Sequence, residues 1–232
     1  SLSNILEMDN NPNKERRYFM KCLIQCTAGI YLGRNANKVY LFVTPLLVGK
    51  ILLNEGLCGE MSLPILANLG WIIGFINDPA LGYELASLAV QAGKSSHITE
   101  KSFIMAVFYH CFAYVCKGTI HDVLSAELNT FLFARNLKEE VWCPLSGMWA
   151  VFCDVYCGSG LEKIEPIYQQ VRDVCESINN NFLLDVCKAD YTVAQSIRNE
   201  KIVWEEPEQM FLNEKIEDLP FSRASVRFAK AI

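Results

Sequence analysis

The chain has 232 residues, enough for one large domain or a short solenoid with a continuous core. Hydrophobic residues make up 51% and charged residues 20%, which excludes wholesale disorder. The net charge is −5 and no stretch is strongly basic, which argues against a nucleic-acid groove and against docking on an anionic membrane surface.

The chain opens Ser1-Leu2 without Met, so it reads as a segment cut from a longer protein, with residues 1–13 a cut start or a disordered lead. Glu7, Asp9 and the cluster Lys14-Glu15-Arg16-Arg17 precede only a modest apolar run, so no signal peptide is expected. The first helix is predicted over 14–32, ending before Gly33, with the charged cluster as its solvated start. The second covers 37–54 and is interrupted by Pro45, which should kink it or delay its start. The third spans 61–77. The fourth starts at Asp78-Pro79, a cap followed by proline at the first helical position, and ends at Gly93. The fifth runs 98–117, the sixth from Thr119, the seventh 138–157, the eighth from Ser159 and the ninth 181–199. The acidic Glu205-Glu206-Pro207-Glu208 reads as a linker, followed by weaker helices near 206–216 and 221–231. This gives a helical domain over 14–200 and a tail, 201–232, holding the linker and a partial further repeat. Strand alternation and hairpin turns are rare, so the fold class is all-α.

The longest apolar runs, Pro64 to Ile76 and Phe103 to Cys116, fall short of the roughly 20 residues that cross a bilayer and read as buried helices. Eight of the ten cysteines (Cys22, Cys26, Cys111, Cys116, Cys153, Cys157, Cys175 and Cys187) lie in apolar helical stretches and read as reduced core thiols, which points to the cytoplasm.

Asp78, Thr119 and Ser159 stand 41 and 40 residues apart as helix caps. Thr119 with Asp122 and Ser159 with Glu162 fit capping boxes, and Gly118 and Gly158 just before them can end the preceding helices. After these caps run stripes at i, i+4, i+7: Leu81, Leu85, Leu88; Leu124, Leu128, Phe131; Ile164, Tyr168, Val171. The first stripe is offset by two residues. Helices therefore pair into units of about 40 residues, and stacking such pairs buries faces that one hairpin cannot. The expected architecture is stacked antiparallel helix pairs, a tetratricopeptide-like right-handed solenoid.

The segment Gly82-Tyr83-Glu84-Leu85-Ala86-Ser87-Leu88-Ala89, the helix Phe103 to Cys116 and the stretch Gly118 to Glu140 carry a resemblance. With the helix end Ala134-Arg135-Asn136 and the turn Gly158 to Glu162, the chain resembles, over about 20–200, the tetratricopeptide-like region of large bacterial signalling proteins. In that family a serine/threonine-kinase-like domain and an AAA-type (STAND-like) ATPase come first, and GAF and histidine-kinase domains often follow. The resemblance implies a fold and a context and supplies no catalytic residues. The chain departs from the family in its many cysteines and weak last 30 residues.

For chemistry, His121-Asp122 comes first. A His-Asp dyad is the metal-binding core of all-α HD-type phosphohydrolases, where a metal activates water for phosphoester cleavage. His97 or His110 would be the upstream ligand and Asp185 the last. Against it, Asp122 already serves the capping box and His97 sits in a polar loop. The Cys22/Cys26 and Cys153/Cys157 pairs lack the two-residue gap of structural zinc. No phosphate-binding glycine loop and no nucleophile elbow occurs in the sequence. Trp142, Trp149, Phe152 and Tyr156 form a stripe read as core, with a ligand groove as the alternative. The expectation is a module without catalytic residues, cofactor or metal, whose partner is a neighbouring domain or another protein, without nucleic acid or membrane insertion. The alternatives are an HD-like phosphohydrolase using His110, His121, Asp122 and Asp185, and a membrane-surface helical protein.

Overall fold

The computed structural model describes residues 7–32, 39–95, 99–114, 117–158, 160–179 and 183–188, with isolated positions at 5, 191, 192 and 195. The predicted helices near 206–216 and 221–231, the acidic linker, His97, Cys116 and Ser159 lie outside the described residues. Among the described residues there is no strand, and the helices are α1 (Lys14–Leu32), α2 (Tyr40–Glu55), α3 (Ser62–Ile76), α4 (Pro79–Ser95), α5 (Glu100–Tyr114), α6 (Ile120–Asn136), α7 (Trp142–Tyr156) and α8 (Leu161–Ser177). A 3-10 turn, Gly59–Met61, leads into α3, and 183–188 is again helical.

The chain forms two compact units, Ser1–Ala126 and Glu127–Ile232. α6 runs through the boundary.

In the first unit α3 is the central helix and packs on α2, α4 and α5; α4 also packs on α5, and α1 on α2. α3 is apolar nearly all round, and Leu63, Ile65, Leu66, Leu69 and Ile72 are buried. Its contact with α4 is backbone to backbone. A Cβ on Gly82 would lie 2.4 Å from the Gly70 carbonyl oxygen and 2.4 Å from the Gly74 nitrogen, so only glycine fits there. α2 accommodates Pro45 on its buried face and begins at Tyr40, later than predicted. The segment Gly59–Ile76, 18 residues at mean hydropathy 1.4, is by length and composition able to cross a membrane. It is longer than the Pro64–Ile76 run expected from sequence because the 3-10 turn extends it, and 67% of it is buried within the first unit.

The lead before α1 is tied down. Leu57 N donates to the Asp9 carbonyl and Asn11 N to the Leu57 carbonyl, each at 2.9 Å, around a parallel bridge between Asn10 and Leu57. Gly59 N donates to Asn10 Oδ1 at 2.8 Å. Gly56, at φ 104°, lets Asp9 approach: a Cβ there would lie 2.6 Å from the Asp9 oxygen. The predicted solvated cluster is partly an anchor. Arg16 holds both Glu55 oxygens at 2.9 Å and thereby lowers the Glu55 carboxyl below the usual carboxylate range, while Arg17 donates to the Asn11 carbonyl.

In the second unit α7 packs on α8. A Cβ on Gly147 would meet Val171 Cγ2 at 2.5 Å and the Phe131 ring at 2.9 Å, so both side chains fill the space that glycine leaves. Gly158, at φ 74°, ends α7 in the left-handed conformation, as its spacing implied.

α4, α6 and α8 each have 17 residues and start at Pro79, Ile120 and Leu161, 41 residues apart both times. α3, α5 and α7 each have 15. The same four positions are buried in each longer helix: Gly82, Ala86, Ala89, Gly93; Val123, Glu127, Thr130, Ala134; Ile164, Tyr168, Val171, Cys175. This corrects the predicted stripes. The residue capping α8 is Gly160, in extended conformation and without a side-chain cap bond, one position after the expected Ser159. With that shift all three helices share one register. The third stripe is buried as predicted; the first two were placed one residue off the buried line, so Leu81 is exposed and Leu88, Leu124 and Leu128 half-buried, while Leu85 and Phe131 are still buried.

Candidate functional site

The four residues of the alternative metal site fall in different settings. Asp122 is bound to its own helix start: Thr119 N donates to Asp122 Oδ2 at 2.9 Å, Thr119 Oγ1 donates to the same oxygen at 2.8 Å, and Asp122 N returns a bond to Thr119 Oγ1 at 3.3 Å. This is the predicted capping box, and these bonds hold the Asp122 carboxyl below the usual carboxylate range. His121 is exposed on the same first turn of α6. Asp185 is half-buried in the 183–188 turn of the second unit.

His110 is buried in α5, in the first unit. Its Nε2 lies 2.9 Å from Ser87 Oγ of α4, and its ring 5.8 Å from that of Tyr83, one turn earlier on α4. Lys117 Nζ lies 5.1 Å from the Tyr83 ring. Burial, with the charge of Lys94 added, lowers His110 to about 4, so the imidazole is neutral at pH 7. A hydroxyl against a neutral imidazole has the composition of a nucleophile and base. Ser87, however, lies inside α4, where the neighbouring backbone amides are spent on helix bonds and none is left to stabilise an oxyanion. The pair therefore ties α4 to α5. Sequence reasoning missed it because the spacing of 23 residues acquires meaning only once the two helices form a hairpin.

Among the described residues, no group of three or more His, Cys, Asp or Glu is placed to hold a metal ion. The described cysteines are all free thiols. Of those expected in the core, Cys111, Cys153, Cys175 and Cys187 are buried, whereas Cys26 is exposed and Cys22 and Cys157 half-buried, Cys157 because it lies just past the end of α7. Burial pushes the Cys143 thiol up to about 12, and the Glu139 charge adds to it. Cys175 moves the other way because Cys187 hydrogen-bonds to it.

Buried polar groups with no helix-start role occur in both units, Thr27, Thr44, Asn68 and His110 in the first and Glu127, Thr130, Ser146 and Asp154 in the second. Glu127, Ser146 and Asp154 are all at least nine-tenths buried, and Ser146 Oγ and Asp154 Oδ2 have no hydrogen-bond partner among the described residues. The aromatic stripe of α7 runs outward from this interior. Trp142 is buried, Trp149 meets Phe152 edge-on at 5.1 Å, and Phe152 meets Tyr156 at 4.5 Å, with Tyr156 exposed. Tyr168 stacks on Tyr191 at 4.3 Å.

No family model, no curated protein and no solved structure matches the chain.

Proposed function

We propose that the chain is a non-catalytic interaction and regulatory module built from repeated helix pairs, a tetratricopeptide-like stack belonging to a larger cytoplasmic signalling ATPase or kinase. The observation that carries this reading is the twice-repeated 41-residue start of α4, α6 and α8 with four buried positions in common. A repeating register is what a chain needs when each pair buries its face against the next. In this reading the partners are neighbouring domains of the same polypeptide or a separate protein, met by helix faces rather than by a reactive centre.

Small-angle scattering on the purified chain tests the stack. A compact globule of this length has a radius of gyration of about 17 Å. A stack gives a larger value with an elongated distance distribution, and a compact value with a symmetric distribution sinks the reading. Phosphoester turnover with added Mn, Mg or Zn tests the role. No turnover above buffer is expected; metal-dependent turnover lost in His121→Ala replaces this reading with the HD-type hydrolase.

A further inference from the structure

α2 is apolar on two sides. One side, Thr44, Pro45, Val48, Gly49, Ile51 and Leu52, is buried in the first unit. The other carries Val39, Tyr40, Val43, Leu46, Leu47 and Leu53, all exposed, with Lys50 the one charge and Asn54 the one other polar side chain among them. These positions fall within about 140° of arc at the helical spacing of 100° per residue. The patch continues past the helix. Phe42 sits 6.1 Å from Phe75, and Phe75 and Ile76 at the end of α3 are 69% and 59% exposed. Elsewhere among the described residues the largest run of exposed apolar side chains is Leu132, Phe133, Leu137 and Val141 around the end of α6, each less than half exposed.

From this face we infer that the chain pairs with a second copy of itself, α2 lying antiparallel on the α2 of its mate across a two-fold axis. Size is the first argument. The eight exposed side chains leave on the order of 800 Å² uncovered, about what each partner gives to an interface of standard size. Self-complementarity is the second. With the axis at Leu46 and Leu47, Leu53 of one copy opposes Tyr40 of the other and Lys50 opposes Val43. Lys50 then lies one turn from the second copy's Tyr40 ring, within reach of a cation–π contact, and its stem adds apolar cover. The two Lys50 ammonium groups stand about seven residues apart along the pair, roughly 10 Å, so they do not clash. No acidic side chain lies in this arc, so a basic partner finds nothing to pair with. With Lys50 as its one cation and a chain charge of −5, the arc offers a lipid surface no basic rim. This inference rests on the surface of α2 and the end of α3 and holds or fails independently of the repeat reading.

The test is sedimentation velocity of the whole chain from about 1 to 100 µM. A concentration-dependent dimer is expected. Val43→Glu with Leu47→Glu should weaken association at least about 100-fold with the helical circular dichroism unchanged, since both side chains are exposed. If the double variant loses helix, Leu46→Ala with Leu47→Ala gives a milder truncation of the same contact. Phe133→Glu, outside the patch, should leave the dimer intact. A monomer throughout, or a dimer insensitive to the α2 changes, overturns the inference. So does a monomer that cosediments with phosphatidylcholine vesicles and loses that binding in the α2 variant.

Discussion

α4 and α8 meet the same packing problem with opposite materials. Their four shared buried positions hold Gly82, Ala86, Ala89 and Gly93 in α4, and Ile164, Tyr168, Val171 and Cys175 in α8. In the first unit the opposing helix supplies glycine as well, Gly70 and Gly74, and the two backbones touch. In the second unit the glycine is on the opposing helix alone, and Val171 and Phe131 close on Gly147 as knobs in its hole. The register is held while the volume moves from one helix to the other. Position along the helix is thus what α4 and α8 have in common, and residue size is not. The two solutions also differ in tolerance, because a backbone cannot step aside and a side chain can.

Gly82→Ala should be the most damaging single methyl. Its Cβ would sit 2.4–2.5 Å from three backbone atoms of Gly70 and Gly74, so the helices must separate. A loss of at least about 3 kcal/mol is expected from urea unfolding followed by circular dichroism. A loss below 1 kcal/mol would mean that α3 and α4 are not in backbone contact.

Acid should then weaken the first unit through His110. Its folded value, about 4, lies below the ordinary 6.5, so the neutral form is favoured by folding. That contribution is complete above pH 6.5 and fades as pH falls toward 4, amounting to about 3 kcal/mol over the full window. Comparing urea midpoints of the parent and His110→Leu at pH 7 and 4.5 isolates it from the carboxylates. Equal slopes in the two proteins would falsify the buried, neutral histidine.

Gly147→Ala should cost less than Gly82→Ala, about 1–2 kcal/mol, because Val171 and the Phe131 ring can shift by a rotamer adjustment. An equal cost in both units would remove the contrast between them. The smallest effects belong to the caps. Thr119→Ala breaks a working capping box and should cost about 1 kcal/mol, whereas Gly160→Ser adds a cap oxygen where none acts and should gain a few tenths once the flexible Glu162 carboxylate, which fills the place of the new Cβ, swings aside. Thermal melts of the two variants give the comparison directly.

The helices were legible because their ends carry strong chemistry. Asp78 Oδ1 accepts from Leu81 N at 3.0 Å, Thr119 and Asp122 bond reciprocally, and α1 runs from Lys14 to Leu32 as the periodicity predicts. The shared register was only half legible. A search for large apolar residues passes over Gly82 and Ala86, whose burial comes from the approach of another helix rather than from their own hydrophobicity. It also placed the α8 cap at Ser159, since serine is the stronger cap former than Gly160. The Ser87–His110 pair and the ties from Asp9, Asn10 and Asn11 to Leu57 and Gly59 depend on contacts between distant segments, and no local pattern announces them. The outer face of α2 was hidden by its inner one, because a helix apolar on both sides reads as simply buried.

The pinning of the lead at Leu57 and Gly59 has a mechanical consequence. Tension applied to the chain ahead of Asp9 enters the molecule at the corner between α2 and α3, not at the tip of α1. While the clasp holds, the α1–α2 hairpin lies off the line of force as slack. Once the few bonds between 9–11 and 57–59 shear, that hairpin joins the loaded path, and its packing on α3 becomes the next element to bear the load.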